Sequence, residues 1–79
     1  MNILMFGVTK EIVGTDSLYV AATEKVKNVA DLKTYLKGKY PELDKLSSLA
    51  IAVNSKYAKD DDRITIDDEI ALIPPVSGG

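Results

Sequence analysis

One segment of this chain has the length and periodicity of a stable helix, and it lies near the middle: Asn28 through Tyr40, closed by Pro41. Asn28 supplies a capping side chain, and Asp31 places an acid in the first turn, where the helix dipole favours it. Val29, Leu32 and Leu36, with Tyr35 or Tyr40, recur at three-and-four spacing and make one apolar stripe, while Lys33, Lys37 and Lys39 take the wet side. Gly38 weakens the last turn by up to about 1 kcal/mol relative to alanine, so fraying before Tyr40 is expected. A stripe of this kind must be buried against something, and the flanking segments read as short strands. The fold expected is therefore α+β, with one main helix covering one face of a mixed sheet. If the strands that the helix joins run parallel, the crossover is right-handed.

Before the helix, Asn2 to Val8 is apolar at both alternating sets of positions, as in a strand central in its sheet or buried on both faces. Thr9 can cap a single helical turn over Lys10 to Val13, and Gly14 can close it in the left-handed conformation. From Asp16 to Ala22 the residues alternate, with Leu18 and Val20 on one side and Ser17 and Tyr19 on the other, so this strand is wet on one face and pairs with the first as a hairpin. After the helix, Leu43 and Leu46 fit a short turn over the core edge. Leu49, Ile51 and Val53 then face the helix, while Ala50 and Ala52 permit close approach on the other side. Asn54-Ser55 is a turn signal, Lys56 to Ala58 a short edge strand, Lys59 to Arg63 a charged loop, and Glu69 to Ile73 the last strand.

Seventy-nine residues make one domain with a modest stability margin and little room for an enclosed active site. The chain has no cysteine and no histidine, which removes the thiol nucleophile, the imidazole base and the usual zinc, copper and haem ligands together. Catalysis by this chain alone is not expected. The net charge of −2, with ten basic residues spread along the chain, argues against a nucleic-acid surface. No apolar run is long enough to span a bilayer and the first residues lack a signal-peptide pattern, so a cytoplasmic location is expected. Asp60-Asp61-Asp62 lacks the spaced ligands and glycine of a calcium loop and reads as a solvated turn, so no metal is assigned.

The most distinctive stretch is the end, Pro74-Pro75-Val76-Ser77-Gly78-Gly79. Two prolines fix φ and carry no N–H, so the segment leaves the preceding strand as an extended arm. The expected division is a folded domain over residues 1–75 and a flexible tail over 76–79, with a reach of about 13 to 14 Å. Gly78 and Gly79 let a partner close around the backbone, and the functional group at the tip is the carboxylate of Gly79.

Several segments together carry a family resemblance: Phe6 to Gly14, Val29 to Leu32, Ala52-Val53-Asn54, Asp68-Glu69-Ile70-Ala71 and the PPVSGG end. In this order and spacing they resemble the small subunits of molybdopterin synthase, the MoaD type, within the ThiS/MoaD ubiquitin-like superfamily. The resemblance implies a β-grasp fold and a sulfur carrier. A ubiquitin-activating-like adenylyltransferase would use ATP to adenylate Gly79, and a sulfur donor would convert it to a thiocarboxylate. The tail would then enter the large subunit, in a heterotetramer, and give its sulfur to cyclic pyranopterin monophosphate. No cofactor would be held permanently. The resemblance also implies an apolar partner-docking patch at Phe6, Tyr57 and Ile73, with Lys10 beside it where relatives often carry arginine. Asp67 stands where the family usually has glycine, so a left-handed turn with some strain is expected there.

Other readings stand beside this one. Phe6 and Ile73 can equally be ordinary core residues. The same fold carries sulfur for thiamine, cysteine or tRNA, although thiamine-type carriers usually lack the double proline. A ubiquitin-like modifier would instead join Gly79 to a target lysine, and a plain binding module would need no tail chemistry.

Overall fold

The structure, a computed structural model, describes residues 1–21, 26–46 and 48–75. Five strands form one mixed sheet: β1 (Asn2–Met5), β2 (Ser17–Tyr19), β3 (Ala50–Val53), β4 (Lys56–Tyr57) and β5 (Ile70–Ile73). Their order across the sheet is β2-β1-β5-β3-β4. β1 runs parallel to β5 and antiparallel to β2, while β3 is antiparallel to both β5 and β4. β2 and β3 therefore point the same way, and the main helix α2 (Val29–Lys39) lies between them in sequence. A short helix α1 (Val8–Val13) joins β1 to β2, and a 3₁₀ turn over Pro41–Lys45 follows α2.

The core lies between α2 and one face of the sheet. Val29, Leu32 and Leu36 of α2 and Leu43 of the 3₁₀ turn cluster with Ile3, Met5, Ile51, Ile70 and Leu72 of the strands. Leu46, Leu49, Val53, Tyr35 and Tyr40 pack around them, as the periodicity predicts. α2 reaches Lys39 despite Gly38, because burial of the stripe outweighs one weak helix former.

The start of α2 is held from two directions. Asn28 Oδ1 accepts from the Asp31 amide at 2.8 Å, and the Asp31 carboxylate accepts from the Lys27 amide at 3.0 Å. The charged loop supplies the rest: the carbonyls of Asp62 and Asp60 accept from the Val29 and Ala30 amides at 3.0 and 2.8 Å. Asp60 also pairs with Lys33 at 2.8 Å, and the Asp62 carboxylate takes the Lys59 amide at 2.8 Å. These aspartates thus close a loop and cap a helix.

Two expectations change. The first strand ends at Met5, and it is central without being buried on both faces: Ile3 and Met5 are buried, whereas Leu4, Phe6 and Val8 are exposed. One helix can cover one side of a sheet, and no second layer lies over the other among the described residues. The turn at Asp67 also carries no left-handed strain; among the described residues, the non-glycine ones with positive φ are Asn54 and Ser55, at 52° and 70°. A turn over Thr65–Asp68, closed by the Asp68 amide to the Thr65 carbonyl at 3.1 Å, makes the reversal without positive φ at Asp67.

Candidate functional site

Strand register builds a depression on the uncovered face. Leu4 of β1 lies opposite Ser17 and Ala71, Ala71 opposite Ala52, and Ala52 opposite Tyr57, so one row crosses all five strands. Alternation along a strand puts these side chains on the face away from α2. The two alanines in the middle of the row leave a low floor between larger neighbours. In the next row Ile73 stands opposite Ala50. The result is a depression of about 310 Å³ walled by Leu4, Phe6, Tyr57 and Ile73, floored by Ala52 and Ala71, with Ser55 and Glu69 at its polar edge.

Phe6 and Tyr57 are 46% and 75% exposed, too much for core residues. Ile73 is half-buried. The reading of Phe6 as a core side chain is thereby set aside. Three of the four residues read as a docking patch, Phe6, Tyr57 and Ile73, share this one depression. Lys10 does not line it; its ammonium sits on α1, 3.5 Å from the exposed carboxylate of Asp16.

Phe6 is held by a residue that periodicity did not single out for this task. Thr9 is fully buried, accepts the Phe6 amide at 2.9 Å through its hydroxyl and donates the same hydroxyl to the Phe6 carbonyl. Expected as a cap of α1, its side chain instead braces the end of β1; the helix starts after Gly7 with no side-chain cap, and Gly14 ends it left-handed as predicted, at φ 87°. Gly7 has φ 53°, and a Cβ there would stand 3.2 Å from Cγ of Pro74. Pro74 therefore packs close to the β1–α1 junction at Gly7, the residue after Phe6. Val76, Ser77, Gly78 and Gly79 lie outside the described residues.

The polar edge has its own bracing. Asn54, in the β3–β4 turn, donates from Nδ2 to the Asp68 carboxylate at 2.9 Å and accepts the Glu69 amide on Oδ1 at 2.9 Å. Its own amide donates to the Glu69 carbonyl at 2.7 Å. The second Asp68 oxygen accepts the Thr65 amide at 2.7 Å. That amide, then the Asn54 side chain, holds the Asp68 carboxyl below its ordinary 3.8, because both bonds favour the charged form.

The model of the ThiS family matches residues 3–79. The chain belongs to the ThiS family. Among curated relatives of this ThiS-family chain is the molybdopterin synthase sulfur carrier subunit of Dictyostelium discoideum, 39% identical, with 99% of this chain and 94% of the relative aligned. Among solved structures, a putative molybdopterin converting factor subunit 1 from Pyrococcus furiosus superposes with a TM-score of 0.82 at 20% identity, over 95% of each chain. The small archaeal modifier SAMP1 of Haloferax volcanii gives 0.78 at 25% identity, over 99% of this chain and 97% of its own. The architecture is thus the ubiquitin-like β-grasp, as the resemblance in sequence implies. No helix among the described residues is long and apolar enough to cross a membrane.

Proposed function

We propose that this chain is the sulfur-carrying subunit of a molybdopterin synthase. The observation that carries the reading is the span of the similarity: the family match runs through the Gly-Gly end to Gly79, and the Dictyostelium carrier subunit aligns over nearly its whole length. A carboxylate is a poor electrophile, so the tail needs activation from outside. The Gly79 carboxylate attacks the α-phosphorus of ATP on an adenylyltransferase, pyrophosphate leaves, and a sulfur nucleophile then displaces AMP to give the thiocarboxylate. In the large subunit, that sulfur passes to cyclic pyranopterin monophosphate. Pro74 and Pro75 aim the tail, Val76 and Ser77 extend it, and Gly78 lets the partner's channel close on the backbone. Phe6, Tyr57 and Ile73 receive an apolar side chain from each partner in turn, and Lys10 contributes from the flank.

Incubation with the activating enzyme, ATP and a sulfur donor should replace one oxygen of the carrier by sulfur, read by intact-protein mass spectrometry. The product, mixed with the large subunit, should convert the pterin precursor. An unchanged mass would sink the reading, and a thiocarboxylate inert toward the large subunit would move it to another sulfur pathway. The likeness to SAMP1 supports a second use, conjugation through Gly79 to lysines, which immunoblots of a tagged chain would show as high-mass adducts.

A further inference from the structure

We propose that Asn54 is a positioning residue for docking: its side chain locks the edge hairpin β3–β4 onto the start of β5 and so fixes the shape of the depression. The inference rests on the docking role given above to that depression. β4 is only two residues long, lies at the sheet edge and, among the described residues, pairs with β3 alone, through Ala52↔Tyr57 and Val53↔Lys56. Such a short ribbon is marginal by itself. Yet it carries Tyr57, the most exposed of the apolar walls at 75%. The turn that bears it, Asn54-Ser55, has both residues at positive φ, the geometry of a tight two-residue hairpin.

Asparagine tolerates that backbone, but so does glycine; what glycine lacks is the amide group that reaches across to β5. Through it Asn54 makes two side-chain bonds, to the Asp68 carboxylate and from the Glu69 amide, each 2.9 Å long. Ser55, Tyr57 and Glu69 all line the depression, so the clamp ties together two of its edges. A partner that meets a locked hairpin does not have to order it on binding, which is the usual gain from preorganisation. Asn54 touches no reacting atom. Its effect belongs to the affinity for partners and leaves the chemistry at Gly79 alone.

Asn54→Gly separates the two roles, since it keeps the backbone geometry and deletes the clamp. Asp68→Ala removes one of the two side-chain bonds and leaves the Glu69 amide on Asn54 Oδ1, so its rise in KM should be smaller than that of Asn54→Gly, and the double variant should add little to the latter. In the free protein, backbone order parameters at residues 54–57 should fall from about 0.85 to below about 0.6, with those of Ile51 and Leu72 unchanged. With the sulfur-loaded carrier as substrate of the large subunit, and with the unloaded carrier as substrate of the activating enzyme, KM should rise about tenfold at unaltered kcat. An ordered hairpin in Asn54→Gly, an unchanged KM, or a loss confined to kcat overturns the inference. If the wild-type chain turns over with both partners and the variants match it, the inference fails alone. If the wild-type chain turns over with neither, the docking reading fails and takes the inference with it.

Discussion

At the scale of single residues, two side chains act through backbone groups. Thr9 stands in the core with one hydroxyl serving both the amide and the carbonyl of Phe6. Thr9→Val keeps the shape and removes both bonds, leaving polar groups of Phe6 without that partner; urea unfolding should show a loss of about 1 to 3 kcal/mol, while Thr9→Ser should retain most of the stability. The Asp68 carboxyl is held below its ordinary value, by the Thr65 amide first and then by the Asn54 side chain. A folded-state value below 3.8 means that its contribution to stability is complete above that pH and disappears as pH falls through the lowered value. Asp68→Asn should therefore flatten the acid limb of the stability profile, measured by denaturant melts from neutral pH down to about pH 2. A variant whose acid limb matches the wild-type one would show that the carboxylate is not held by Thr65 and Asn54.

At the scale of elements, α2 shows how a helix start is shared between local and distant groups. The Asn28 cap is visible in the sequence, because a short polar side chain precedes the apolar stripe. The other supply is not: the carbonyls of Asp60 and Asp62 come from a loop some thirty positions later, and nothing in a run of aspartates says where its backbone will dock. Asn28→Ala should cost about 1 kcal/mol in thermal melts, the ordinary value of a lost cap, without unravelling the helix, since the amides of Val29 and Ala30 keep their loop partners. If instead the loss reached several kcal/mol with a fall in helical circular dichroism, the loop would be shown to depend on Asn28 and not to act beside it. The strands divide in the same way. Alternation at Ser17–Tyr19 and 49–53 is legible because one face is wet or floored with alanine. The first segment misleads because Leu4 and Phe6 are apolar yet exposed on the face that α2 leaves uncovered.

At the scale of the whole molecule, the layer order was readable, since one striped helix and several short strands have few ways to bury each other. The exposed apolar face was not readable from periodicity; an apolar residue left exposed and one buried in the core look alike until burial separates them. Thr9 and Asn54 were out of reach for a related reason: Thr9 bonds backbone groups that any residue could offer, and Asn54 bonds the Glu69 amide and an Asp68 carboxylate fourteen positions away. On the proposed function, a docking face and a reacting tail should fail independently. Ala71 lies at the floor of the depression, opposite both Leu4 and Ala52. Ala71→Leu adds volume on the uncovered side, where the core is not disturbed, and fills the space a partner's side chain would take. Binding to the large subunit should weaken about tenfold or more by calorimetry, with unfolding midpoints close to wild type. Deleting Gly78 and Gly79 should do the reverse: binding through the depression persists, and no thiocarboxylate forms. If Ala71→Leu binds normally, the depression is not the docking site. If the shortened chain loses binding as completely as it loses chemistry, the tail and not the folded face supplies the affinity, and the separation of docking from reaction is wrong.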